Sequence, residues 1–453
     1  MSLNDAMFFL GESPGKPAHV IALQLFRPVG DLDLSELYDE LLTLRVKPAF
    51  ARKPVRSLRS ATTMAWADDD LDLDYHVRHV ALPARGRIRE LLELVSLEHG
   101  VVLDRNRPPW EFHLVEGLRD GRFATTFKTH HGLADGMTLA RHMLASLSPD
   151  RDRRDCLPPW AQPDPEPEAP ADRRTTTRAS AGPGARARYV QRSVVATAKA
   201  VGALRSLAGD ALGRVPYEAP RSILNQPLTG ARRFAGDHWS YPRLKAVAAA
   251  ADCQVNDVAL AMCGGALRAY LTDLRELPEA SLISMVPISL RRDRDEFDAE
   301  SGNAFGAILC DLRTTTVSAA ERLAGIASSM VRSKELFAGL GTAEAIALSR
   351  IIMGGAAVGS MTPALAPERP PFNLIVSNVP ASPVPLYFNG SEMTDIYPVS
   401  MISERQGMNI TVTRYADTMT FGIVGDRRHL PSLQRMLIHL EDALAQLEAE
   451  ILG

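Results

Sequence analysis

The residues of this chain best suited to chemistry lie in RFATTFKTHHGLADG, Arg122 to Gly136, where two adjacent histidines are followed after three residues by Asp-Gly. Such residues can ligate a metal, serve as an imidazole base, or do neither and pack as satisfied core side chains. Side chains alternate along a strand, so RFATTFKTHH places Phe123, Thr125, Phe127, Thr129 and His131 on one face. Ala124, Thr126, Lys128 and His130 take the other. Histidines that point apart do not share a metal, and no third ligand stands at suitable spacing, so no metal site is expected. Gly132 ends the strand, and Asp135-Gly136 precedes the helical pattern MTLARHMLASL, where Asp135 is placed to cap the helix and Gly136 to permit a tight turn. On spacing alone, a strand, a turn and a capped helix with incidental histidines account for the stretch as well as a catalytic site does.

The elements that must hold these residues are legible on both sides. HVIALQLF (19–26) and WEFHLVEGL (110–118) read as strands, DLSELYDELLTL (33–44) and IRELLELVSLEH (88–99) as amphipathic helices. Further on come a helix at NDVALAMCGGALRAYL (256–271), strands at LISMVPISL (282–290) and FNLIVSNVP (372–380), and a hairpin-like pair, GMNITVTRY with TMTFGIVGD. A helix from Leu430 closes the sequence. Strands and helices recur in both halves, so the expected class is α/β (α+β).

At 453 residues the chain is long enough for two domains, and the composition divides it. Residues 1–150 form the first expected unit. Residues 151–236 are expected to link, because PPWAQPDPEPEAPADRRTTTRASAGPGARA within them is rich in Pro, Ala, Arg and acidic residues with almost no large aliphatics; residues 237–453 form the second unit. The formal net charge of −3 sets up no field for nucleic acid. Within the linker, however, Arg186, Arg188, Arg192, Lys199, Arg205 and Arg214 interleave with Val194, Val195, Val201, Leu204 and Leu207, a pattern that suits either an anionic lipid surface or an ordinary solvated helix. Cys156, Cys253, Cys263 and Cys310 show neither zinc-finger nor Cys-x-x-Cys spacing, which fits a reducing cytoplasm. The first residues do not resemble a signal peptide, and the apolar stretch 351–366 is broken by glycines and a proline, so no membrane-spanning helix is expected.

His130-His131-Gly132-Leu133-Ala134-Asp135-Gly136 resembles the His-His-x-x-x-Asp-Gly motif of the acyl-CoA-dependent acyltransferases related to chloramphenicol acetyltransferase. Its surroundings resemble the bacterial wax ester synthase/diacylglycerol acyltransferase family. LNDAMFFLGE, HVIALQLF, RPPWEFHLVEGL, NQPLTGARRFA, VNDVALAMCGGALRAYL, VPISLRRD, SGNAFG, NLIVSNVP and FGIVGD are similar to family blocks and stand in the family order. Two places depart: Pro108-Pro109-Trp110 where the family has Pro-Leu-Trp, and Asn378-Val379-Pro380-Ala381-Ser382 where it has Asn-Val-Pro-Gly-Pro.

The resemblance implies two chloramphenicol-acetyltransferase-like domains with a substrate tunnel between them, and transfer of a long acyl chain from coenzyme A to a lipid hydroxyl. It implies His131 as general base, His130 supporting the strand from behind, and Asp135 organising the turn through a cap and an arginine partner. Asn256 and Asn378 are oxyanion-donor candidates, helix capping explaining Asn256 equally well. Pro109 and Trp110 would shape the tunnel wall or the domain contact, with core packing as an equal alternative, and Gly136 would lie on the substrate side. The coenzyme A thioester is a substrate, and no cofactor is implied. Diacylglycerol is the leading acceptor and a fatty alcohol the nearest rival. A carrier-protein donor, as in condensation domains, fits the other blocks less well. A non-catalytic lipid-droplet or acyl-binding protein is the reading from another class. The expected location is cytoplasmic, with peripheral contact to a membrane or lipid droplet.

Overall fold

The structure, a computed structural model, describes residues 1–57, 63–83, 86–163, 199–200, 202, 216–289, 305–361 and 369–453. In the first half run α1 (Leu3–Gly11), β1 (His19–Arg27), α2 (Leu34–Thr43), β2 (Arg52–Arg56), β3 (Met64–Asp68), α3 (Leu73–His76) and β4 (Val77–Ala81). They are followed by α4 (Ile88–Gly100), β5 (Trp110–Glu116), β6 (Phe123–His130) and α5 (Gly136–Ala145). The second half runs β7 (Arg232–Ser240), α6 (Tyr241–Ala250), α7 (Val255–Asp273), β8 (Ile283–Ser289), β9 (Phe305–Asp311), α8 (Ala319–Ala338) and α9 (Thr342–Met361). It ends with β10 (Leu374–Asn378), β11 (Tyr387–Phe388), β12 (Ser391–Val399), β13 (Met408–Tyr415), β14 (Thr418–Asp426) and α10 (Arg435–Ile451).

Two six-stranded mixed sheets result, ordered β11-β12-β1-β6-β5-β4 and β7-β14-β13-β10-β8-β9. The alternation read from the sequence of β6 sorts its side chains as expected. Phe123 and Phe127 join Trp110, Phe112 and Phe50 in one aromatic core, while Ala124 on the other face meets Leu91 and Val95 of α4. Every residue of β6 is buried, so its polar side chains must find partners inside the protein. Thr126 donates to Glu98 Oε2, and Lys128 Nζ donates to the carbonyls of Glu98 and Val101.

The strand pairing crosses the expected division at residue 236 in two ways. β12, within the expected second unit, pairs antiparallel with β1 in the first sheet, Ile21 opposite Val399. β7, which runs from Arg232 to Ser240, straddles the start of the expected second unit at 237. The ends of the expected linker are core rather than spacer. Trp160 is fully buried and stacks on Trp110, and Ala219 and Leu224 are buried in the second half. Linker composition hid these residues because a single large aromatic anchors a segment that is otherwise polar. Residues 164–198 lie outside the described residues, as do Arg205 and Arg214; Lys199 is described and pairs with Glu344 at 3.0 Å. The last helix begins at Arg435, five residues beyond the expected Leu430, because Ser432 adopts φ 53° and interrupts helical geometry. Among the described residues no single helix is long and apolar enough to cross a membrane.

The sheets meet on an apolar seam of Ile21, Leu23, Tyr397 and Val399 against Phe234 and Val424. A Cβ on Gly422 would run into the Pro398 carbonyl, so glycine is what allows β12 to lie this close to β14. At the rim, His238 Nδ1 of β7 faces Asp395 Oδ1 of β12 at 3.0 Å, and Arg122 holds the other carboxylate oxygen at 2.6 Å. The hydrogen bond to Asp395 raises the His238 pKa above its ordinary value, outweighing burial. A raised folded-state pKa stabilises below the unfolded value and ceases to do so as pH rises through the folded value. The gap in melting temperature between the protein and His238→Gln is therefore expected to be present at pH 6 and to close on titration above the ordinary histidine value of about 6.5. A gap that persists unchanged at high pH would show that the contact contributes as a neutral hydrogen bond.

Candidate active site

Strand β6 ends at His130, and His131 begins the turn that follows it. The backbone fixes both residues: His130 N–H donates to the Pro109 carbonyl at 3.0 Å, and His131 N–H donates to the Ala18 carbonyl at 2.7 Å. His130 is almost fully buried, whereas His131 is partly exposed, the asymmetry that alternation anticipates. The two rings nevertheless lie under one element. His130 stacks on Phe9 at 3.8 Å between centroids and His131 on Phe8 at 4.1 Å, consecutive residues of α1.

Gly132 N–H donates to His130 Nδ1 at 3.0 Å, which places the proton of the neutral ring on Nε2. Burial, with the neighbouring His131 and Arg105 adding to it, pushes the His130 pKa down to about 3. The His131 pKa is lowered too, by burial, while Asp135, its own backbone and Asp5 act in the opposite direction. Its Nδ1 is buried, with no bond to another residue among those described. This is a neutral imidazole at physiological pH.

Asp135 caps α5 as expected, accepting from Thr138 N–H at 2.7 Å. The expected arginine partner is absent among the described residues, so its carboxylate acts on His131 through space and through the cap. Gly136 opens the helix with a negative φ, and a Cβ there would meet nothing within 4 Å, so the turn does not demand glycine at that position. The glycine that packing demands is Gly132. A Cβ there would lie 2.5 Å from Phe9 Cε2 and 2.8 Å from the Asp5 carbonyl oxygen.

Asn256 and Asn378 come together: Asn378 Nδ2 donates to Asn256 Oδ1 at 3.2 Å. Capping does not explain Asn256, since Gln254 is the N-cap and Asp257 closes the capping box. Trp110 is sealed between Trp160 and His76 with its indole N–H donating to Phe50, so core packing is the role its burial supports. Pro109 supports His130 through its carbonyl. The departure at Ala381-Ser382 is accommodated by the Ser382 hydroxyl, which donates to the Val384 carbonyl and accepts from the Val384 N–H.

Behind the motif lies a polar row that spacing did not reveal. His19, opposite His130 in the β1–β6 ladder, uses Nε2 to meet the His99 carbonyl at 3.0 Å. Burial holds His19 well below its ordinary pKa and His99 down to about 3, with Lys128 adding to both. Further along, the Ser400 hydroxyl lies 2.6 Å from that of Thr411, and Thr411 in turn reaches Ser377, the neighbour of Asn378. One polar group thus backs the histidine strand, and another joins the end of β12 to the second sheet.

Residues 1–259 match the wax ester synthase/diacylglycerol acyltransferase catalytic domain, and residues 301–448 match the WS/DGAT C-terminal domain. The chain belongs to this family. A Mycobacterium tuberculosis protein provisionally named a diacylglycerol O-acyltransferase is 41% identical over the whole of both chains. The O-acyltransferase WSD of Acinetobacter baylyi is 34% identical over 99% of this chain and 96% of its own. The wax ester synthase/diacylglycerol acyltransferase of Marinobacter aquaeolei VT8 is similar in structure, with a TM-score of 0.78, 35% identity, and coverage of 100% of this chain and 99% of that one. The first condensation domain of the calcium-dependent antibiotic synthetase shares the fold at 14% identity and a TM-score of 0.60, over 98% of this chain and 94% of that one. The protein is an O-acyltransferase with the family's two chloramphenicol-acetyltransferase-like domains.

The packing at the turn gives a direct test. Gly132→Ala is expected to destabilise the protein by about 1–3 kcal/mol, the usual range for overpacking, while Gly136→Ala leaves stability nearly unchanged. Denaturant titration of both variants measures this, and equal stability of the two would contradict the close packing of Phe9 on Gly132.

Proposed function

We propose that the protein transfers a long acyl chain from a coenzyme A thioester to the free hydroxyl of diacylglycerol, forming triacylglycerol, with His131 as general base. The observation that carries this reading is the neutral His131 imidazole, partly exposed and fixed by backbone and ring contacts within the family's motif. His131 Nε2 takes the hydroxyl proton as the alcohol oxygen attacks the thioester carbonyl. The tetrahedral intermediate expels the coenzyme A thiolate, which leaves with the proton from the imidazolium. No acyl-enzyme forms and no side-chain nucleophile is needed. Coenzyme A enters as part of a substrate, and the reaction requires no resident cofactor.

The Asn256–Asn378 pair supports an oxyanion role for Asn256. Its carbonyl is occupied by Asn378, which orients its amide N–H groups outward as donors. On this reading Asn378 positions Asn256, and the polar row between the sheets lines the substrate path. A fatty alcohol acceptor is the second reading. It is favoured by the similarity to the wax ester synthase/diacylglycerol acyltransferase of Marinobacter aquaeolei VT8, whose name covers both products.

His131→Ala is expected to lower turnover by about 10²–10⁴, the range for loss of a general base, without loss of fold. In the wild type kcat/KM should stay level around neutrality and decline only below about pH 6.5, because a base with a lowered pKa loses its lone pair only in acid. Palmitoyl-CoA assays with diacylglycerol and hexadecanol offered separately, following free coenzyme A and lipid product, test base and acceptor together. Normal turnover of folded His131→Ala would overturn the mechanism.

Both acceptors reside in lipid, so the reading includes peripheral contact with an anionic surface through Arg186, Arg188 and Arg192. Lys199 is left out because Glu344 pairs with it. Neutralising the three arginines should weaken binding to anionic vesicles by about 1 kcal/mol per charge, and unchanged binding would assign the segment to solvent.

A further inference from the structure

The N-terminal segment supplies more to the site than two phenylalanines. Glu12, just beyond α1, has its side chain 1% exposed and makes four connections. Its Oε1 accepts from Ala18 N–H at 3.0 Å and faces His130 Nε2 at 3.6 Å. Its Oε2 accepts from Arg105 Nε and Nη2 at 3.2 and 3.1 Å, and Arg105 Nη2 also donates to the Glu12 carbonyl at 3.0 Å. Its N–H donates to the Phe8 carbonyl and closes the helix that carries both stacking rings.

These contacts converge on the histidine pair by independent routes. Through Ala18, whose carbonyl receives His131 N–H, the carboxylate sets the backbone position of His131. At His130 it faces the ring nitrogen opposite the one that accepts Gly132 N–H, the nitrogen that carries the proton in the neutral tautomer. The backbone N–H of Glu12, by contrast, closes α1 on the Phe8 carbonyl whatever the side chain. Other charges near this cluster are Arg105, which binds Glu12, Asp135 and Asp5, which act on His131, and Lys128, which acts on His19.

We propose that Glu12 is a positioning residue for acyl transfer: its buried carboxylate, clamped by Arg105, holds the backbone of His131 through Ala18 and favours the Nε2-protonated form of His130, in the orientation the reaction needs. The inference rests on His131 being the general base. Glu12 reaches no reactant itself. Its effect therefore belongs in kcat, since a small misplacement of a base weakens transition-state contacts without altering how the acyl-CoA chain is held.

The test compares full-length wild type, Glu12→Gln, Arg105→Lys and His131→Ala by thermal melting, by kcat and KM for palmitoyl-CoA, and by imidazole nitrogen NMR shifts. Glu12→Gln keeps an acceptor for Ala18 N–H and removes the charge. It is expected to stay folded, to keep KM, and to lose about 10-fold to 100-fold in kcat, with the His130 shifts moving away from the pure Nε2-protonated pattern. Wild-type kcat in folded Glu12→Gln would overturn the proposal. So would a loss that appears in KM or that merely tracks the fraction unfolded. If Glu12→Gln does not fold, Arg105→Lys decides, because Arg105 is about half exposed and its replacement loosens the clamp without emptying the core. A lower kcat at unchanged melting temperature then supports the positioning role, and an unchanged kcat refutes it. His131→Ala keeps the two claims apart: its full activity would remove the base assignment, whatever Glu12→Gln does.

Discussion

The ladder of β1 is the constraint on which the rest of the structure depends. On one edge β1 pairs with β6, His19 opposite His130, and just before the strand the Ala18 carbonyl receives His131 N–H. On its other edge it pairs with β12, a strand contributed by the second half of the sequence. A single register therefore places the histidine pair and joins the two sheets. A slip of one residue would turn every side chain of β1 to the opposite face, carrying His19 out of the polar row and Leu23 out of the apolar seam.

Desolvation then sets the electrostatics. A buried imidazole resists protonation because its cation loses hydration, and the His19, His99, His130 and His131 environments all act in that direction. Neutrality in the one partly exposed ring is what a proton acceptor requires. The same burial would be costly for Lys128, and two carbonyls with the nearby carboxylates offset it, burial still lowering its pKa. Behind the motif Thr126 and Lys128 are bonded to Glu98 and Val101, which holds these side chains of β6 to one arrangement.

Much of this was legible in the sequence. Period-two alternation separated the faces of β6, and the Asp135 cap followed from its place before a helical run. The strands at 19–27, 408–415 and 418–426 appear nearly where their patterns put them. What stayed hidden was mostly long-range. No local pattern says that 391–399 pairs with 19–27, or that Trp160 returns to stack on Trp110. Glu12 was unread for a similar reason: its carboxylate matters through Ala18, Arg105 and His130, which the chain brings together only on folding. The adjacent phenylalanines, four and three residues before Glu12, were the one available signal. Gly136 drew attention by its place in the motif, whereas the steric demand falls on Gly132.

The shared strand also restricts how far the two halves can part. β10 and β13 are parallel neighbours in the second sheet, and the chain between them leaves that sheet, lends β12 to the first, and returns. A hinged, clam-like swing of one half away from the other would have to strip β12 from β1 along its length or pull it off β14, where Gly422 admits it. Both are cooperative disruptions of core structure rather than low-barrier breathing. Whatever reaches the histidine pair must accordingly do so past a frame that stays closed.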